Sequence, residues 1–277
     1  MRASDALLLI CVFAACARRA PTPAEQHSAQ TAESPTRAGE AEFATEPARA
    51  TRPEPRGGAS AEHALPTSVD LRPRFEALGL VPRPQGPRPT CSIFTATAAL
   101  EFACSHAARR SVRLSVEYLN WAANAATGRD DDGDFFHHAL AGWERFGLAP
   151  EEALPYAGTY DARLVPGPDA LVAAGRVLAS EGARLRVRWI LPWQAGQSGL
   201  DTAQFEDARS TLAAGWPVAA GSSHSRLLVG YVEDTTKPGG GVFWTIDSGL
   251  GGYGEVDYTF ARTRINDAVT VEVVDER

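Results

Sequence analysis

Lysine is almost missing from this chain: Lys237 is the only one among 27 basic residues. We read that as a compositional bias toward arginine rather than as chemistry. Net positive charge is missing too, since the balance is −7 and no long block carries one sign. Phosphate binding needs a basic footprint, so nucleic acid is excluded as the main partner. The apolar run at the start of the chain is about ten residues, too short to span a bilayer as a helix. Cysteine is scarce, with four in 277 residues. What remains is 44% hydrophobic and 22% charged, enough to bury a core in one large domain or two small ones.

The first sixteen residues, MRASDALLLICVFAAC, have an early arginine and then that apolar run, the pattern of an export signal. Two endings stay open. FAAC resembles a lipoprotein box, which would leave Cys16 as a lipidated first residue, although Phe13 stands where leucine or valine is usual. Ala-Cys-Ala at 15–17 also has the small-x-small form of ordinary cleavage. The expected location is therefore outside the cytoplasm, either secreted or periplasmic, or tethered to a membrane through one acylated terminus. Residues 17–64 are mostly Ala, Glu, Pro, Thr and Arg, with Phe43 as the only large hydrophobe. Such a segment cannot offset its ordering entropy and reads as a disordered linker. The folded domain is expected over 65–277.

Processing would leave Cys91 and Cys104. Ile93, Ala96, Leu100, Ala103 and Cys104 fall on one helical stripe, so a continuous helix separates the two sulfurs by about 20 Å. A disulfide needs the Cα atoms within about 7 Å, which predicts two free thiols. Cys104 lies on the apolar stripe. Cys91 lies in the first turn, where unsatisfied N–H groups favour thiolate, and Thr90 and Ser92 are capping candidates.

His224 follows WPVAAGSS and precedes RLLVGYVED, which looks like a buried strand. A second strand, GVFWTID, ends on Asp247 and runs into the glycine-rich SGLGGYGE. If the two pair antiparallel through DTTKPGG, the imidazole and the carboxylate meet, as in the orienting half of a catalytic triad. His137 and His138 follow DDDGD and suggest a metal loop. The glycine comes too early for an EF-hand, however, and Ala141 stands where its closing glutamate would be, so no metal is expected.

The region resembles the papain-like cysteine peptidases, in particular a divergent bacterial branch. LPTSVDLR is similar to the start of the mature enzymes, and QGPRPTCSIFTATAALE to the nucleophile segment. LSVEYLNWAAN, GDFFHHALAGWERFGLAPEEALPY, HSRLLVGY and VFWTIDSGLGGYGE follow in the family's order, over about 210 residues. The resemblance implies Cys91 as nucleophile, His224 as general base and acid, and Asp247 in the place of an orienting asparagine. It further implies that Gln85 donates to the oxyanion, and that Ser92, Gly133 and Asp134 line the substrate cleft. The chemistry would be peptide hydrolysis through a thioester, on a peptide or protein substrate and without a cofactor.

The departures point to what must differ. Arg88 stands in place of a cysteine whose partner would be Asp131, so an exposed Arg88–Asp131 ion pair is expected instead of a disulfide. Asp134 replaces a glycine and should narrow or recharge the cleft. Gly249 replaces a shielding tryptophan and should leave the His224–Asp247 contact wetter. Only five residues separate Val218 from His224, too few for the family's usual excursion. A second reading follows from these losses: a papain-like domain without activity, serving as a peptide-binding or interaction module. A narrower one keeps the chemistry but uses another acyl acceptor.

The fold class expected is α+β with two lobes around one cleft. Helices are expected at Cys91–His106, Val116–Ala125 (Ser115 as N-cap) and Phe135–Phe146, in a helical lobe reaching to about residue 185. A mostly antiparallel β lobe should follow: a strand in RLRVRWI, a helix at Thr202–Ala214, and strands Pro217–Gly221, Arg226–Val232, Val242–Asp247 and Val269–Val274.

Overall fold

The computed structural model describes residues 64–175 and 184–274. The export signal, Cys16 and the linker to residue 63 lie outside them. Along the chain run β1 (Ser68–Asp70), α1 (Arg72–Ala77), α2 (Cys91–Ala108), α3 (Val116–Thr127), α4 (Phe136–Phe146) and α5 (Pro168–Ala174). Then come β2 (Arg184–Leu191), α6 (Thr202–Ala213), β3 (Val218–Gly221), β4 (Arg226–Glu233), β5 (Gly241–Asp247), β6 (Gly252–Asp257), α7 (Tyr258–Arg264) and β7 (Asp267–Val274). The fold is α+β in two lobes, helical before β2 and built on an antiparallel sheet after it.

Local chemistry accounts for the helix ends. Ser115 caps α3, its hydroxyl accepting from the Tyr118 N–H at 2.9 Å. Asp201 and Gln204 form a reciprocal capping box on α6. Between α3 and α4 the backbones approach so closely that a Cβ on Gly142 would lie 2.5 Å from the Ala123 nitrogen.

Helix α2 is buried on nearly every side. Beyond the expected stripe, Phe94, Ala99 and Phe102 are also buried, and so are the polar Thr97 and Glu101. A helix enclosed all round belongs inside the molecule, and α2 packs against α3 and α4 on one side and β3, β4, β5 and β7 on the other. Its Glu101 is satisfied by Arg83 at 2.8 Å and by the Leu114 N–H at 2.8 Å.

The sheet runs β2-β7-β3-β4-β5-β6, with β1 paired to β4. Two expectations change here. The first residues of the domain belong to the sheet lobe, because Val69 pairs with Tyr231 across β1 and β4. The glycine-rich stretch after Asp247 is a strand, with Ile246 opposite Tyr253 and Asp247 opposite Gly252. The strands around His224 fall as expected: Leu227 pairs with Ile246, and Ala220 with Arg226.

Candidate active site

Cys91 is the first residue of α2 and is half-buried. Thr90 precedes it but does not cap the helix. Its hydroxyl bonds the Tyr156 hydroxyl at 2.8 Å instead, and Ser92 Oγ is engaged by the Asp134 N–H at 3.3 Å. The positive end of α2 is therefore not neutralised by a capping side chain at Thr90.

His224 sits at the tip of the short β3–β4 hairpin. The Ser222 hydroxyl donates to the His224 carbonyl at 2.7 Å and accepts from its N–H at 3.2 Å, which fixes the turn. Nε2 of His224 lies 2.6 Å from Oδ1 of Asp247 at the end of β5. A carboxylate only accepts, so Nε2 carries a proton and Nδ1 is left for Cys91. The Cys91 thiol lies near the His224 ring and the Ser225 N–H, and both draw its pKa down. Cys91, His224 and Asp247 are thus brought together, with His224 bonded to Asp247 and electrostatically coupled to Cys91.

The electrostatics follow from that grouping. Burial pushes the Cys91 thiol up, but His224 and Ser225 outweigh it and the net direction is down. Burial works against the charged His224 ring as well, yet Asp247 and the thiolate together lift it to about 9. Asp247 is held at about 2: burial opposes this, and the His224 bond, the Arg226 charge and the Gly249 N–H prevail. Cys104 is the contrast, a buried thiol without a cationic partner, pushed up to about 12 by burial.

Gln85 lies against the residue that follows Asp247. Its N–H donates to the Ser248 carbonyl at 2.9 Å, and its Oε1 accepts from the Ser248 hydroxyl at 2.7 Å. That fixes the amide so that Nε2 donates to the Arg88 carbonyl at 2.8 Å. One of its two N–H groups is thereby used and the other has no partner in this network.

Three expectations about the surroundings are corrected. Arg88 does not pair with Asp131, which lies beside Arg129 at 2.5 Å. It is buried, and binds Glu117 at 2.5 Å, Asp132 at 2.7 Å and the Ala157 carbonyl at 2.7 Å. Asp134 does not project its charge into the cleft. Its carboxylate is buried, bonded to the Phe135 N–H at 2.8 Å and to Nδ1 of His138 at 2.6 Å. The aromatic rings of Phe135 and Trp193, 4.9 Å apart, are the exposed ones on this side. Nor is the Asp247 side of the His224–Asp247 contact left wet by Gly249, although the His224 side chain keeps 22% of its surface exposed. Asp247 is 4% exposed, because the Gly249 and Leu250 N–H groups close over Oδ1 and Arg226 covers Oδ2.

Gly133 has φ +92°, and a Cβ there would stand 2.2 Å from the Pro89 carbonyl oxygen. The loop is held from behind by Asn120, which accepts from the Gly133 N–H at 3.1 Å, and by Asn124, which bonds Asp131 through both side-chain atoms. The rings of His137 and His138 meet edge to face beside this loop, their centroids 4.1 Å apart. Among the described residues, no group of three or more His, Cys, Asp or Glu is arranged to hold a metal ion.

Sequence reasoning missed Arg226, Ser225, Ser248 and Tyr156 as parts of the site. Only Arg226 carried a signal, as a charge two residues after His224 at the start of an apolar strand.

With the geometry in hand, comparison with solved structures is decisive for the fold. The fold is papain-like. Xylellain, a cysteine protease from Xylella fastidiosa, superposes with a TM-score of 0.58 at 18% identity, over 76% of this chain and 88% of its own. The ragweed pollen allergen Amb a 11, a cysteine protease in its proform, gives 0.56 at 20% identity, over 78% and 69%. Digestive procathepsin L 3 of the Tenebrio molitor larval midgut gives 0.54 at 19% identity, over 77% and 72%. Neither a family model nor a curated protein sequence matches the chain.

Proposed function

We propose that this protein is an exported cysteine-type peptidase, of a divergent bacterial papain-like branch, that cleaves peptide bonds through Cys91, His224 and Asp247. The observation that carries the reading is the pairing of His224 with Asp247 at 2.6 Å beside Cys91 at the start of α2, and the directions of the shifts, thiol down and imidazole up, agree with it. The papain-like fold supports it, since proteins of that fold named above are cysteine proteases.

In the proposed mechanism the Cys91 thiolate attacks a peptide carbonyl and forms a carbon–sulfur bond. The oxyanion takes hydrogen bonds from the Cys91 N–H and from the remaining Gln85 Nε2–H. The carbon–nitrogen bond breaks as the His224 imidazolium gives its proton to the leaving amine. Water, deprotonated by the now neutral His224, then hydrolyses the thioester and returns Cys91. Asp247 keeps the ring oriented throughout. Export rests on the apolar run before residue 16 and the linker that follows it, with the folded domain beginning near Leu65.

The test is cleavage of a mixed peptide library by the full chain, read by mass spectrometry, with Cys91→Ala alongside. Products from the wild type and none from Cys91→Ala are expected, with the rate falling above about pH 9 as His224 loses the proton the leaving amine needs. A binding module is the second reading, and one observation favours it: Gln85 Nε2 is already engaged by the Arg88 carbonyl. Peptide retention without cleavage, the same for wild type and Cys91→Ala, would establish that reading instead.

A further inference from the structure

We propose that Arg226 is a positioning residue of the site, clamping Asp247 and the His224 backbone with one guanidinium so that the imidazole faces Cys91. The inference rests on the peptidase reading of the same site and adds a fourth member to it.

The geometry is specific. Nε of Arg226 donates to Oδ2 of Asp247 at 2.9 Å, and Nη1 donates to the His224 carbonyl at 3.1 Å. The two oxygens of Asp247 are thereby divided. Oδ1 receives His224 Nε2 and the Gly249 and Leu250 N–H groups, and Oδ2 receives Arg226. Rotation of the carboxylate would break bonds on both sides at once. The guanidinium is itself steadied from below, 5.7 Å over the ring of Phe260 on α7.

Charge gives the second argument. An asparagine in the place of Asp247 would be neutral, whereas a buried aspartate brings a full negative charge against the imidazole. A buried, unpaired carboxylate is costly and tends to take up a proton. Arg226 supplies a positive charge that keeps the buried carboxylate ionised, and its two donors hold that acceptor in a fixed direction toward the imidazole. The charged or titratable groups facing Asp247 are His224 at the hairpin tip and Arg226 on β4, with Cys91 on α2 beyond the ring.

The test is a double-mutant cycle in the full chain, reading the rate of Cys91 alkylation by iodoacetamide at pH 6 by peptide mass spectrometry. This readout needs no substrate. Arg226→Gln is expected to slow labelling about tenfold when residue 247 is Asp, and by no more than twofold in an Asp247→Asn background. Arg226→Lys, which keeps the charge without the fork, should recover at least half of the loss. Equal slowing in both backgrounds would mean a merely structural role and would overturn the proposal, as would labelling unchanged by Arg226→Gln. If Arg226→Gln does not fold, Arg226→Met, which keeps the stem and removes the charge and the donors, carries the same cycle with the same expected results. Failure of the underlying reading has a different signature, wild-type Cys91 labelling no faster than an ordinary thiol at pH 6, and it would overturn both.

Discussion

At the scale of single residues, environment separates two thiols of one helix. Cys91 and Cys104 are both free, yet one is drawn down by His224 and the other pushed up to about 12 by burial. Sequence spacing was enough to assign them, because the first turn and the apolar stripe are both readable from a helical period. Arg88 was not readable in the same way. A position tied to an expected disulfide suggested Asp131 as its partner, but the partners chosen are Glu117 and Asp132, and the group is buried. Nothing local in the sequence distinguishes the three neighbouring aspartates 130–132. The burial makes a prediction: Arg88→Met should cost about 3–5 kcal/mol, since it leaves two carboxylates without their cation. Urea denaturation measures it, and a loss below about 1 kcal/mol, as for an exposed pair, would contradict this account.

Elements carry the alignment of the site. The β3–β4 hairpin places His224 and the β5–β6 turn places Asp247, while the start of α2 places Cys91. A continuous apolar run made β4 legible, and β5 after it, and with them the meeting of His224 and Asp247. Strand β6 was hidden by its glycines, which read as loop, and β1 is only three residues long, below what periodicity can detect. Loop 129–134 packs against the segment that leads into α2, since a Cβ on Gly133 would meet the carbonyl of Pro89, two residues before Cys91. Gly133→Ala should therefore both strain a left-handed backbone and push this loop from that segment. We expect a loss of about 1–3 kcal/mol in stability together with a reduced rate of peptide cleavage. Unchanged rates in a variant so destabilised would show that the loop plays no part in the site.

For the whole molecule, two lobes close over one buried helix. The α+β class and the order of helices and strands were legible because the long elements have strong periods. The pairing of β1 with β4, and the burial of α2 on all sides, depend on contacts between distant segments that no local pattern encodes. That arrangement gives Cys91 its partner, since the thiol comes from the helical lobe and the imidazole from the sheet. The account therefore rests on a thiolate–imidazolium pair formed across the lobes. The pH dependence of Cys91 alkylation in the full chain, with His224→Ala alongside and Cys104 as the internal reference, tests it most directly. The account predicts fast labelling of Cys91 at pH 6 that His224→Ala slows at least tenfold, with Cys104 silent. Labelling that rises only near pH 8.5, alike in wild type and His224→Ala, would contradict it.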